Sequence, residues 1–460
     1  MTIGDVAWRR SDGKLLRRTI PRSSHSVWLP PTDRPDPVDL LEEQNSDRLP
    51  WLVPVRRARM ADSPFAFYRG TARIMASDLA AGPNTGLVVQ LCGDAHLSNF
   101  GVYASPERDL VFDLNDFDET LPGPFEWDVK RLAASFTIAG RHREFDRKTC
   151  RRLAEEATMA YRTTMRSLAD RGWLSTWYSG ISFDELIKHG ETGGASKKSL
   201  RRGRKFGEKA RSKGHLHAAA KLVEGVDGDY RFKSAPPLLV PFREIPTSVH
   251  PNELRAAIET SFESYRVSLA DDVRLLLDRY RLVDLAIKVV GVGSVGTRCS
   301  VALFIGSTPK DLLLLQIKEA TASVLEAYLP KSRYPLHGRR VVEGQRLMQT
   351  SSDIFLGWSR SVSGHDYYWR QLKDWKGSID LEDSSPKRFF RYARLCGLTL
   401  ARAHAVSGDP AAIAGYLGRG DGFDRALGEF SVRYAEQTLA DHRAFAGTIE
   451  AGHLEAHFAL

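Results

Sequence analysis

The 460-residue sequence predicts an α+β protein of two lobes, with a small β-rich lobe set between helical segments. Three observations lead there. Helical periodicity dominates from Trp127 to about Leu282; the stretches Leu282–Gly306 and Asp311–Ala320 then turn β-branched and apolar at strand length; and helical spacing returns from Lys387 in FFRYARLCGLTLARAHA. A composition of 42% hydrophobic and 27% charged residues supports a sizeable core, and at roughly 150 residues per unit the length suggests two to four domains or lobes.

Residues 1–60 are rich in proline and charge (PPTDRPDP at 30–37) and read as an arm. The pattern from Ala66 to Ala81 suits one amphipathic helix, closed by the turn cluster GPNTG. GLVVQLC reads as a buried strand that runs into GDAHLSNFG at 93–101; after the turn SPERD comes a second strand, LVFDL, and then NDFDETLPGP. Arg151–Arg171 and Pro251–Asp278 are the clearest helices, and two more strands are expected around Ile354–Trp358 and Tyr367–Leu372. The resulting division is an arm at 1–60, a helical lobe at 61–281 with a basic insertion near 190–213, a β-rich lobe at 282–375, and C-terminal helices at 376–460 completing the helical lobe.

Several classes are excluded. Leu282–Val295 is interrupted by Asp284 and Lys288, so no membrane span is expected, and MTIGDVAWRRSDGK has no apolar run of a secretory leader. Cys92, Cys150, Cys299 and Cys396 are too scattered for a zinc site or disulfide framework, which fits a reducing cytoplasm and small core residues. Of the net charge of +9, nearly all sits in residues 197–213, which hold nine Lys or Arg against Glu208 alone. That segment reads either as a contact for an anionic partner, nucleic acid or lipid, or as a solvated helix.

Two constellations carry chemistry. The first is Asp94, then Asn99 with four residues between, then Asp116 in Asn115-Asp116-Phe117-Asp118. Phosphoryl transfer needs one carboxylate to orient or deprotonate an acceptor hydroxyl, and an amide with a second carboxylate to hold the metal that bridges the phosphates. Asp94 fits the first role; Asn99 and Asp116 fit the second. The second constellation is Gly291-x-Gly293-x-x-Gly296, followed by Lys318 in LLLLQIKEA. A dinucleotide fingerprint would open a helix after the last glycine. Thr297, Cys299, Val301 and Leu303 follow instead, so the glycines sit at the tip of a hairpin, as in the loop that covers ATP phosphates in kinases. Lys318 then contacts the α- and β-phosphates, and its acidic partner is Glu343 in RVVEGQRLMQ or, alternatively, Glu326 in TASVLEAYL. These assignments call for ATP and Mg²⁺.

The order is inverted relative to an ordinary kinase, because the Asp94 loop precedes the glycine loop. A circularly permuted, two-lobed protein-kinase-like fold reconciles the two. The motifs SPFAFYRG, LCGDAHLSNFG, FDLNDFDETLPGPFEWDVKRLAAS and VVEGQRLMQ resemble the bacterial family catalogued as domain of unknown function 2252, over roughly residues 20–440. Its catalytic half is similar to aminoglycoside- and choline-kinase-type proteins. That similarity implies that Gly93, Asp94, His96 and Asn99 form the catalytic loop, with Asp113 or Asp116 at the strand end and Asp128 as the acidic helix residue. Cys92 stands where those kinases place His.

The expected function is an ATP- and Mg²⁺-dependent phosphotransferase acting on a small molecule or a protein. The alternatives are transfer of AMP to a protein, with Arg298 favouring a reversed nucleotide, and a non-catalytic nucleotide- or nucleic-acid-binding scaffold.

Overall fold

The computed structural model describes all residues except 1–4, 193–195, 213, 227–228, 246–250, 290, 309, 373–374, 376, 378–383 and 459–460. Lys213 of the basic segment, part of the insertion before it, and residue 376, where the C-terminal helices were expected to begin, therefore lie outside the described residues. The chain is a mixed α+β protein, as predicted. No described helix is long and apolar enough to cross a membrane.

Long helices form the larger layer. In Arg147–Ala169, Leu153, Ala154, Ala157, Tyr161, Met165 and Leu168 recur at helical spacing and are all buried. Pro386–Ser407 crosses it so closely that a Cβ on Gly397 would lie 2.1 Å from the Ala157 carbonyl oxygen. Phe125–His142 is buried along nearly its whole length between this pair and Gly422–Glu450. The four cysteines are free and buried, as expected of small core residues. At the N-terminus, Val6–Leu15 crosses Pro410–Leu417 through Gly13 and Gly415.

Among the described residues the strands are β1 (Val88–Leu91), β2 (Phe100–Ala104), β3 (Leu110–Leu114), β4 (Leu121–Pro124), β5 (Val223–Val226), β6 (Asp229–Phe232), β7 (Leu239–Pro241), β8 (Arg281–Lys288), β9 (Cys299–Ile305), β10 (Leu312–Ala320), β11 (Gly357–Arg360) and β12 (Asp366–Gln371). β1 pairs with β4, β2 with β3 and β5 with β6; the remaining six make one antiparallel sheet in the order β11-β12-β10-β9-β8-β7. The leucine run in β10 is apolar throughout because the strand is central and covered on both faces. Leu313, Leu315 and Ile317 pack with Tyr265 and Trp369, whose rings stack at 4.4 Å. On the opposite face Leu314 packs with Phe232 and Leu239. By the two-residue period, Gln316 and Lys318 share that second face beyond the apolar patch.

Three sequence expectations change. The helix expected over Ala66–Ala81 is two, Pro64–Arg69 and Ala72–Ala80, broken at Gly70, where a Cβ would meet Met60 at 2.8 Å. The stretch read as helical up to Leu282 contains β5, β6 and β7, and side chains from Ala218 to Leu277 pack on the six-stranded sheet. The strand expected around Ile354–Trp358 begins at Gly357. The basic segment is a helix, Lys197–Arg211, that seats Phe206 and Ala210 against the main core while Lys197, Lys198, Arg201, Arg202, Lys205 and Lys209 are exposed.

Candidate functional site

The β2–β3 hairpin brings the first constellation together. Its register pairs Phe100 with Leu114, which sets Asn99 beside Asn115, and the Asn115 amide donates to the Asn99 carbonyl at 2.9 Å. The loop between β1 and β2 is anchored by Asp128, near the start of Phe125–His142. Its carboxylate accepts from the amides of Cys92 (2.8 Å) and Gly93 (3.1 Å) and sits 3.2 Å from His404 Nε2. Gly93 has φ +82°, and a Cβ there would lie 2.3 Å from the Glu119 carbonyl oxygen, so only glycine fits. The acidic helix residue implied by the resemblance is buried and orients the loop backbone.

Asp94 projects from that loop into a cavity of about 690 Å³ together with His96, Asn99, Asp116 and Asp118. The helix of Asp128 also supplies Arg131, three residues on and so on the same face, which donates from Nε to Asp94 Oδ1 at 2.7 Å. The Arg131 guanidinium lies 4.1 Å from the Tyr68 ring centroid, which fixes its plane. Asn99 Nδ2 donates to the Asp94 carbonyl at 2.6 Å, leaving the amide oxygen as its other polar atom. His96 Nε2 stands 3.7 Å from Asp94; burial depresses the imidazole pKa to about 4, so at neutral pH the ring is uncharged, and its buried Nδ1 has no hydrogen-bond partner among the described residues.

The second constellation reaches the same place from the sheet. Lys318 is buried on β10, opposite Cys299 on β9 and Tyr368 on β12. Its Nζ bonds Asp118 and lies 3.6 Å from Asp116; Tyr368 Oη donates to the other Asp118 oxygen at 2.8 Å. These carboxylates raise the Lys318 pKa against the opposing effect of burial. Neither sequence-proposed partner meets the lysine. Glu343 lies 3.5 Å from Arg339 on its own helix, and Glu326 accepts from the Ser323 amide at 3.3 Å and lies 3.9 Å from Arg340. The side chain of that helix facing the Lys318 cavity is Gln345, whose buried Oε1 has no hydrogen-bond partner.

Asp118 and Glu119, which extend the acidic cluster beyond Asp116, differ in role, and neither caps Phe125–His142. Asp118 serves Lys318, whereas half-buried Glu119 accepts from the Val324 amide at 2.7 Å.

The glycine loop lies between β8 and β9 as predicted, with Gly291 and Gly296 at positive φ. Sequence reading missed what holds it. Arg48 Nη1 donates to the Val295 carbonyl (2.5 Å), the Leu49 amide to Gly296 (2.8 Å), and Arg59 Nη1 to Gly291 (2.8 Å). Val295 is buried with Leu52 and Val55, so the N-terminal arm and the glycine loop pack as one unit.

Lys318 lines a second cavity of about 490 Å³ with Gln316, Gln345, Phe355, Arg370 and Leu372. Asp116, Gly291 and Ser294 line both cavities, which therefore meet at Asp116. Among the described residues no group of three or more His, Cys, Asp or Glu could hold a metal unaided. The amide oxygen of Asn99 and the Asp116 carboxylate nevertheless suit a hard cation such as Mg²⁺, which is commonly held by one or two carboxylates with phosphate oxygens and water completing the shell.

No curated protein and no solved structure matches the chain. A family model does, over residues 48–448, and the chain belongs to that family, domain of unknown function 2252, described as an uncharacterized protein conserved in bacteria.

Proposed function

We propose that the chain is a kinase-like, ATP-dependent phosphotransferase with a circularly permuted chain order, the Lys318 cavity taking the nucleotide and the Asp94 cavity the acceptor. The observation that carries this reading is the shared wall at Asp116, between two cavities whose key residues come from distant parts of the chain. Lys318 and Asp118 lie 200 positions apart in sequence and form an ion pair. The order β8, glycine loop, β9, Lys318 on β10, then the helix His337–Met348 is the order of a kinase nucleotide lobe, and it supports the fold assignment.

Ile354, Phe355 and Leu372 give the Lys318 cavity an apolar end suited to a base, and Lys318 Nζ lies 3.6 Å from Asp116 at the shared wall. Asp94, aligned by Arg131, is the group to accept the proton of an acceptor hydroxyl as its oxygen attacks the γ-phosphorus and the bond to the β-phosphate oxygen breaks. Mg²⁺ held by Asn99 and Asp116 would supply charge neutralisation at the phosphates. AMP transfer is less well supported, since Arg298, the residue that would favour a reversed nucleotide, is paired with Glu319 at 2.8 Å. A binding scaffold would have no use for a carboxylate aligned in this way.

Incubation with ATP and Mg²⁺, followed by intact-mass and nucleotide analysis, distinguishes these readings. ADP with phosphoryl addition to protein or to an added acceptor is expected, and Asp94→Asn should slow the transfer about 10²-fold or more. Release of pyrophosphate with AMP addition would replace the phosphotransferase by the adenylyl reading.

A further inference from the structure

The Asp94 cavity is lined by many carboxylates, and most of them already have a partner. Asp94 is bound by Arg131, Asp116 and Asp118 by Lys318, and Glu43 by Arg73. Glu319 pairs with Arg298, while Glu119 and Glu326 accept from backbone amides. Asp47, the remaining carboxylate of the lining, is exposed to solvent.

Two arginines in the same cavity have carboxylates nearby but none within hydrogen-bond distance among the described residues. Arg69 ends the helix Pro64–Arg69 and, among the described residues, makes no hydrogen bond or ion pair; its Nε is buried and unpartnered. Arg48 is only 9% exposed, forms no ion pair among the described residues, gives Nη1 to a neutral carbonyl, and carries a second buried, unpartnered Nε. A guanidinium taken largely out of water with no hydrogen-bonded anion is held there unfavourably. A fold that keeps two such groups beside one opening has a place for an anion, and guanidinium forks match the geometry of phosphate and carboxylate.

We propose that the acceptor carries an anionic oxygen group, a phosphate monoester or a carboxylate, bound by Arg69 and Arg48 while its hydroxyl lies at Asp94. The assignment of the hydroxyl rests on the phosphotransferase reading; the anion subsite does not. A second source of the same chemistry is the phosphate chain of the nucleotide, because Gly291 and Gly293 also line this cavity. The acceptor is favoured because Arg48 and Arg69 are absent from the lining of the Lys318 cavity and Lys318 is absent from the lining of theirs.

The test is calorimetric titration of the full chain with inorganic phosphate, alone and with the non-transferable ATP analogue AMP-PNP and Mg²⁺ present. The proposal expects saturable phosphate binding that persists when AMP-PNP is bound. Arg69→Ala should weaken it about tenfold or more and Arg69→Lys less, with AMP-PNP affinity unchanged and the unfolding midpoint close to wild type. Absence of saturable phosphate binding by folded wild type overturns the proposal. Competition between phosphate and AMP-PNP, with Arg69→Ala weakening both, also overturns it by assigning the subsite to the nucleotide. Phosphate binding that depends on Arg69 in a protein that never binds AMP-PNP would uphold the anion subsite and sink the phosphotransferase reading instead.

Discussion

Asp128→Ala is expected to lower the unfolding free energy by about 3–5 kcal/mol, the cost of removing one member of a buried charged network. The carboxylate is 2% exposed, and its loss strands the Cys92 and Gly93 amides. It also strands His404, whose Nδ1 is 2.9 Å from Tyr161 Oη and whose Nε2 faces Asp128. Each buried donor left without an acceptor costs about 1–3 kcal/mol. Asp128→Asn, which keeps one acceptor oxygen and the volume, should lose less. Urea unfolding of the three proteins at neutral pH checks this; a loss below about 1 kcal/mol for the alanine variant would mean the loop is held elsewhere. Because Asp94 follows directly on this anchored backbone, both variants should also slow any transfer reaction.

Lowering the pH from 7 to 5 is expected to destabilise the protein by about 2 kcal/mol through His25 alone, at 1.36 kcal/mol per pH unit. His25 lies on the N-terminal arm, fully buried, with Nε2 2.7 Å from Tyr416 Oη and its ring edge-on to Phe423 at 5.3 Å. Burial, with a smaller contribution from Lys130, depresses its pKa to about 2. The sign follows directly. Above the unfolded value of 6.5 neither state binds the proton; below it the unfolded chain does and the folded one does not, so stability falls from pH 6.5 downward until the folded value of about 2 is passed. His96 adds a loss of the same sign between 6.5 and about 4. His25→Gln should flatten the pH dependence of the urea midpoint, even if it is less stable at pH 7. An unchanged slope would show that the ring is already solvated.

Local sequence signals suffice where one segment decides the structure. The switch from helical to strand spacing near Leu282 located β8, β9 and β10, and the strand-forming residues after Gly296 separated a hairpin loop from a helix-opening fingerprint. The four leucines before Lys318 signalled a strand buried on both faces. What failed depends on contacts between distant segments. The lysine finds its carboxylate across 200 positions, while Glu326 and Glu343, nearer in sequence, serve other partners. The arm shows no motif for its role because Arg48, Leu49 and Arg59 bond to backbone atoms of the glycine loop, which any sequence offers. β5, β6 and β7 are three or four residues long, too short for a period-two pattern to stand out. Arg131 was legible in principle: Asp128 and Arg131 stand three apart on one helix, so a residue implied to support the loop predicts a second on the same face.

The central claim is that segments 200 positions apart in the chain build one nucleotide site, and thermal unfolding with and without ATP and Mg²⁺ tests it most directly. At 100 times its dissociation constant a ligand stabilises the folded state by about 2.7 kcal/mol. Wild type should therefore melt several degrees higher with ATP and Mg²⁺, while Lys318→Ala and Asp116→Ala, compared with their own unliganded midpoints, should show little or no shift. A wild-type midpoint unmoved by millimolar ATP and Mg²⁺, or a full shift retained by both variants, would contradict the account.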